Sequence, residues 1–238
     1  MTPLRPPVRP LNDPGNEYVW RWLRGYFLFR VYHEHPGRPP GQARTFGPYG
    51  RFDPHVRDRR RRPREQADGR GVNYLAADLG TALAEAFPDQ RPEVEICPRT
   101  RAIRACPEQT VKLLDLAGDG IMKIGAVATL GSGCEPRRAT QRWGRAIYED
   151  LPTLAGVRYR GAHQSGISVA VWERAGSLLL EPTDASMTRF VGAFHDGLPL
   201  LGTELRSRTS VALGAQGRYP VPISRQDCKR CQAAEAAA

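Results

Sequence analysis

Proline and glycine decide first what this chain can become. It carries 21 Pro and 24 Gly in 238 residues, so few stretches run long without one. A proline inside a helix removes a hydrogen bond and clashes with the preceding turn, which argues against a helical bundle or coiled coil. Short elements joined by many turns are expected instead. Hydrophobic residues make up 40% of the sequence, enough for a packed core. No run of 18 apolar residues occurs, so no membrane-spanning helix is expected. The opening residues, MTPLRPPVRPLNDPGNEYVW, lack the apolar stretch of a secretory signal, and a cytoplasmic location is expected.

The formal net charge is +10, and it is unevenly placed. Residues 1–70 hold 15 Arg against 7 acidic residues, whereas residues 71–238 hold 20 basic and 18 acidic residues. Such an excess first suggests nucleic acid as a partner. Its densest part is RDRRRRPRE, with Arg57, Arg59, Arg60, Arg61, Arg62 and Arg64 interrupted by Asp58 and Pro63. That run has no interleaved aromatics and no helix-turn-helix around it, so base stacking and groove insertion are unsupported. It reads as a solvated loop, and direct nucleic-acid binding is not expected.

The five cysteines, Cys97, Cys106, Cys134, Cys228 and Cys231, are odd in number and irregular in spacing. That pattern suits a reducing compartment better than a disulfide scaffold. Cys228-Lys-Arg-Cys231 has the spacing of a zinc or redox pair but supplies only two of the four ligands zinc takes. It adjoins the tail QAAEAAA, so it reads as two exposed thiols in a disordered tail, residues 226–238. His33 and His35 form an H-x-H pair with no third ligand in view, and they read as solvated loop histidines. No metal site is assigned.

Local patterning fills in the rest. Residues 1–17 read as a flexible Pro-rich arm. Tyr26–Tyr32 alternates like a strand, with Arg30 on the side of Tyr26, Leu28 and Tyr32. Pro36, Pro39, Pro40 and Pro48 make residues 33–50 a loop. In GVNYLAADLGTALAEAF, residues 71–87, a short strand precedes a helix that Asp78 can cap and Pro88 ends. Leu79, Ala82, Leu83, Ala86 and Phe87 form its apolar stripe, with Glu85 to one side. Residues 92–125 read as short strands and turns. LGSGCEPRR lacks the Gly-Lys-Ser/Thr ending of a phosphate loop. Residues 139–150 form an amphipathic helix with Trp143, Ala146 and Ile147 inward, and residues 156–172 give two strands around a loop. His195 and Asp196 read as surface loop. Two helices among short strands imply an α+β fold, a compact mixed sheet with flanking helices. The expected organisation is a domain at 18–180, an extension packed on it at 181–225, and the tail.

Taken together, these stretches resemble the RES-domain family. Phe29-Arg30-Val31, GRFDP at 50–54, GVNYLAADLGTALAEAF, ATQRWGRAIYED at 139–150, and GVRYRG with SVAVWE at 156–173 occur in that family's order. The pairing of GRFDP with YLA…TALAE is the specific part. The resemblance implies a fold similar to ADP-ribosyltransferase toxins. It also implies a toxin of a toxin–antitoxin pair that cleaves the nicotinamide–ribose bond of NAD by phosphorolysis or hydrolysis, with an Xre-like antitoxin as partner. NAD would be a substrate rather than a cofactor, and inorganic phosphate a co-substrate. The alternatives are a mono-ADP-ribosyltransferase on the same site and a non-catalytic RES fold that binds a partner. The sequence is compatible with an oligomer.

The resemblance also nominates residues. Arg30 and Arg51 match its arginines, and a planar guanidinium suits pyrophosphate oxygens. The bland readings are an edge-strand charge for Arg30 and a loop ion pair for Arg51. Tyr74 matches a tyrosine that can stack on nicotinamide or simply pack in the core. Glu85 matches the family glutamate. Cleaving an N-glycosidic bond builds positive charge on the ribose, which a carboxylate stabilises. Its bland reading is a solvated helix face. The family serine of Y-x-S is missing, because Tyr159-Arg160 is followed by Gly161. Ser165 can take over only if its loop folds back, and Arg160 and His163 share that loop. Catalysis is thus assigned to Glu85 and Arg51, and NAD binding to Arg30, Arg51, Tyr74, Gly161 and Ser165.

Overall fold

The computed structural model describes residues 4–34, 39–87, 93–97, 99–133, 135–163, 166–181, 194–195, 198–199 and 219–235. Its strands are β1 (Val19–Trp22), β2 (Leu28–His33), β3 (Phe46–Gly47), β4 (Arg64–Glu65), β5 (Val72–Ala76), β6 (Glu93–Ile96) and β7 (Thr100–Pro107). They continue as β8 (Val111–Asp115), β9 (Gly156–Arg160), β10 (Ile167–Trp172), β11 (Leu178–Glu181), β12 (Phe194–His195), β13 (Leu198–Pro199) and β14 (Tyr219–Pro222). The helices are α1 (Leu79–Ala86), α2 (Gly120–Lys123), α3 (Arg137–Asp150) and α4 (Lys229–Glu235). The fold is mixed α+β, as the short elements require. Two compact units are distinguished within the chain. One comprises Met1–Tyr26, Ala43–Leu75 and Cys106–Leu179, and the other Phe27–Gln42, Ala76–Ala105 and Leu180–Ala238.

In the first unit the strands run β1-β8-β9-β10-β5. β8 and β9 are parallel, so the chain must cross over between them, and α2 and α3 lie in that crossover. β9 and β10 form an antiparallel hairpin in the register Ile167 to Arg160. β10 alternates in sequence, yet Ser168 through Trp172 are all buried, because it is an inner strand. α3 turns Trp143, Ala146 and Ile147 into a core with Phe52, Leu114, Val157 and Trp172. The amino-terminal arm is not loose. Leu11 is buried, the carbonyl of Arg5 accepts from Trp143 Nε1 at 2.9 Å, and Arg9 pairs with Asp150 and Glu149. Its prolines prevent regular structure but leave carbonyls and side chains to lie along α3.

A buried carboxylate organises the loop from Arg44 to His55. Asp53 is 0% exposed and sits at the centre of four donors. Tyr49 N and Arg44 Nη2 reach Oδ2 at 2.6 and 2.7 Å, His55 Nδ1 lies 3.3 Å from it, and the Tyr74 hydroxyl donates to Oδ1 at 2.7 Å. Burial alone would raise the Asp53 pKa. The hydrogen bond with His55, the charge and hydrogen bond of Arg44, and the Tyr74 hydroxyl outweigh it and hold the carboxyl well below the usual carboxylate range.

In the second unit β2 pairs antiparallel with β7, from Leu28 opposite Ala105 to His33 opposite Thr100. Phe29 also faces Ala76, the last residue of β5. α1 starts where expected: the Asp78 carboxylate accepts from Thr81 N and Thr81 Oγ1, both at 2.8 Å. Leu83 of α1 packs with Val94 and Ile96 of β6 and with Val31 of β2, which seats the helix on the strand. Most of the expected extension at 181–225, Asp196 included, lies outside the described residues. Its end forms β14, which runs parallel to β6. The tail expected to be disordered carries α4, held to the unit by buried Cys228 and Cys231.

Asp53→Asn removes the charge while keeping the shape, leaving Arg44 without its counter-ion. Denaturant unfolding at neutral pH should show a loss of about 3 kcal/mol. A group whose folded pKa is depressed stabilises fully above its unfolded value and loses that contribution as pH falls toward the folded one. The gap between wild type and variant should therefore stay constant down to roughly pH 4 and narrow below it. A gap that does not narrow contradicts the role given to Asp53.

Candidate functional site

GRFDP forms a tight loop pressed against α3. Gly144 makes that approach possible: a Cβ there would lie 2.8 Å from Phe52 Cα. A helical glycine costs stability, and here it lets the loop backbone lie on the helix. The carbonyl of Gly50 accepts from Gln141 Nε2 at 2.9 Å, and a Cβ on Gly50 would collide with the Tyr74 hydroxyl. Phe52 is fully buried. Its N–H donates to the Tyr74 hydroxyl at 3.0 Å, and its carbonyl accepts from Trp172 Nε1 at 3.2 Å.

Between these anchors stands Arg51, with only 9% of its surface exposed. Nη2 donates to the carbonyl of Leu130 at 2.9 Å and Nη1 to that of Arg160 at 3.1 Å. The guanidinium lies over the rings of Phe52 and Tyr159, at 5.2 and 5.1 Å from their centroids. Nε is buried without a hydrogen-bond partner. Among the described residues no carboxylate pairs with Arg51, so the loop ion pair considered from the sequence is not formed. Two carbonyl dipoles and two ring faces compensate a buried cation only in part. The group is oriented and short of counter-charge, which is the condition of an anion-binding arginine.

Tyr74 is half-buried, and its hydroxyl is committed to Asp53 and to Phe52 N. Burial, reinforced by the Asp53 charge, pushes that hydroxyl well above its ordinary pKa, so it stays a donor. Gly161 is buried just after β9, and its N–H donates to the carbonyl of Gly166 at 2.7 Å, closing the hairpin loop. Ser165 lies outside the described residues. The first unit thus gathers Arg51, Tyr74 and the Arg160–Gly161 corner around Phe52. The second unit holds Arg30 and Glu85. Arg30, midway along β2, donates from Nη1 to the carbonyl of Pro40 at 2.6 Å. Glu85 is half-buried on α1, which packs on β2.

Two features escaped the sequence reading. Asp53 was part of a motif but had no assigned role. Its signal was an acidic residue inside a Gly- and Pro-bounded loop, with Arg44, Tyr49 and His55 close in sequence. The other is a correction. Cys228 and Cys231 are not exposed tail thiols but are 6% and 0% exposed, and His33 is a strand residue of β2 beside them. His35 lies outside the described residues. The arginine cluster is largely the expected solvated loop, with Arg59 to Arg62 and Arg64 exposed. Arg57 turns back toward α3, donating to Gln141 Oε1 at 3.0 Å.

Among the described residues no helix is long and apolar enough to cross a membrane. No curated protein matches the chain. Among solved structures, a chain from the crystal structure of the M. tuberculosis MbcT–MbcA toxin–antitoxin complex is similar. It is 18% identical, with 69% of this chain and 83% of that chain covered and a TM-score of 0.43. The model of the RES domain matches residues 18–190, a span that includes Arg30, Arg51, Tyr74, Glu85 and Gly161 and stops before Cys228. A match over most of the sequence places the chain in a family: it belongs to the RES-domain proteins.

Proposed function

We propose that the chain is an NAD-degrading enzyme that releases nicotinamide by phosphorolysis or hydrolysis, and that it acts as the toxin of a toxin–antitoxin pair. The observation that carries the reading is Arg51, a buried and immobilised guanidinium without a carboxylate partner among the described residues. Such a group binds a pyrophosphate oxygen without first breaking an ion pair, and its fork suits two oxygens at once. Arg30 is the second phosphate ligand of this proposal, and the Tyr74 ring face meets the nicotinamide.

Chemistry at the ribose needs little more than charge placement. Nicotinamide leaves with the electron pair of the C–N bond and becomes neutral, so no general acid is required. Positive charge builds on the ribose, and the Glu85 carboxylate stabilises it and orients the incoming phosphate or water. With phosphate as nucleophile the products are nicotinamide and a phosphorylated ADP-ribose. With water they are nicotinamide, ADP-ribose and a proton. The RES membership supports an antitoxin as the protein partner, with an Xre-like protein as the form proposed. A cytoplasmic setting suits the NAD substrate.

Gly161 favours a second reading, ADP-ribosyl transfer to a macromolecule. It offers no hydroxyl where the family serine stands, so water or phosphate is positioned less firmly and another acceptor competes better. Incubation with labelled NAD separates the two, since transfer leaves label on protein.

Two substitutions test the main reading. Glu85→Gln should lower nicotinamide release by about a hundredfold or more, with unchanged thermal unfolding. Undiminished release would remove Glu85 from the mechanism. Arg51→Lys keeps the charge and loses the fork, so KM for NAD should rise by roughly tenfold, with a smaller effect on kcat. An unchanged KM would make Arg51 a structural residue.

A further inference from the structure

Four side chains converge inside the second unit. His33 Nε2 and the sulfurs of Cys97, Cys228 and Cys231 all lie within 4.8 Å of one another. His33 Nε2 is 3.3 Å from Cys231 Sγ and 3.7 Å from Cys228 Sγ, and the sulfurs of Cys97 and Cys231 are 3.8 Å apart. Tetrahedral zinc, with bonds of about 2.3 Å to sulfur and 2.0 Å to nitrogen, holds two sulfurs about 3.8 Å apart and sulfur and nitrogen about 3.5 Å apart. The observed separations bracket those values. They are far too long for a disulfide, whose sulfurs approach to about 2.05 Å.

The fold builds this convergence from distant sequence. β14 runs parallel to β6 with Pro222 opposite Ile96, and Ile223 N continues the pairing to the Ile96 carbonyl at 3.3 Å. That register delivers the chain end to Cys97, the residue after Ile96. Cys228 and Cys231 follow within a few residues, one at the edge of α4 and one inside it. On the other side, β2 places His33 opposite Thr100, and Thr100 N donates to the Cys97 carbonyl at 3.0 Å. Cys97, Cys228 and Cys231 form a buried cluster with Ile223 packed against it. Thr100 Oγ1 lies 3.7 Å from Cys97 Sγ, a partner for that sulfur from outside the cluster.

We propose that His33, Cys97, Cys228 and Cys231 form a structural zinc site that fastens the carboxy-terminal segment to the second unit. Three thiolates and one imidazole complete a tetrahedral shell and leave no open position, so the site is structural rather than catalytic. Soft sulfur donors in tetrahedral array favour zinc over magnesium or calcium, which take oxygen. Two ligands lie beyond the segment matched to the RES domain, so the site is independent of the NAD reading.

The test is metal content of the full chain, purified under reducing conditions from zinc-supplemented cells and measured by elemental mass spectrometry. About one zinc per chain is expected, and cobalt exchanged into the site should give the visible bands of a tetrahedral thiolate complex. Cys231→Ser and Cys228→Ser should each lose most of the metal. Cys106→Ser removes a buried cysteine outside the cluster and should keep it. Should a cluster variant fail to fold, the wild-type stoichiometry and cobalt spectrum still decide. Wild-type protein that purifies without zinc, or that carries a disulfide joining any two of these cysteines, overturns the proposal.

Discussion

The first unit depends on one buried negative charge. Asp53 gathers the Tyr49 N–H, the Arg44 guanidinium, His55 and the Tyr74 hydroxyl on a single carboxylate. The chain from Arg44 to His55 contains no long element, and Asp53 ties its two ends together. With Asp53 satisfied, the turn before it is fixed and Arg51 has one orientation. Tyr74 links the two layers of this arrangement, because it donates to Asp53 and accepts from Phe52 N. The electrostatic contrast within three residues follows from that design. Asp53 has four hydrogen-bond contacts, whereas among the described residues Arg51 has carbonyls and ring faces around it and no carboxylate. The loop thus uses its own acid to hold its architecture rather than to pair with Arg51.

Local chemistry made much of this fold legible. Asp78 capping a stripe of Leu79, Ala82 and Leu83 is read directly from spacing, and α1 forms there. The same holds for α3 and for the hairpin around residue 161. What stayed hidden was settled by partners far apart in the chain. The Pro-rich arm looked unstructured because nothing in it is periodic, yet Leu11 and Arg9 find α3 about 140 residues later. Cys228 and Cys231 looked exposed because their neighbours are polar, and only the β14–β6 register reveals their burial. His33 sits 64 residues before Cys97, a separation no local motif captures.

Of the candidate residues, Arg51 is the one on which the proposed function rests, a buried guanidinium held by two carbonyls with no carboxylate partner among the described residues. Tyr74 has a structural duty that the sequence did not suggest, since its hydroxyl positions the loop. Gly161 remains a bare backbone position in a closed turn, and a chemistry that needs a hydroxyl there must take it from elsewhere. The second unit holds α1, fixed by its cap, with Glu85 near the end of that helix. In this account an anionic dinucleotide is held by arginine, and its scissile bond is weakened by carboxylate. The proposed function draws on two arginines of the amino-terminal excess of positive charge, Arg30 and Arg51, and leaves the exposed run from Arg59 to Arg64 outside it.

The most direct test of that account is the identity of the adenine-containing product after purified protein meets NAD and phosphate, read by mass spectrometry. The account predicts free nicotinamide together with an equal amount of ADP-ribose or its phosphorylated form. Intact NAD, with no nicotinamide released with or without phosphate, would contradict it.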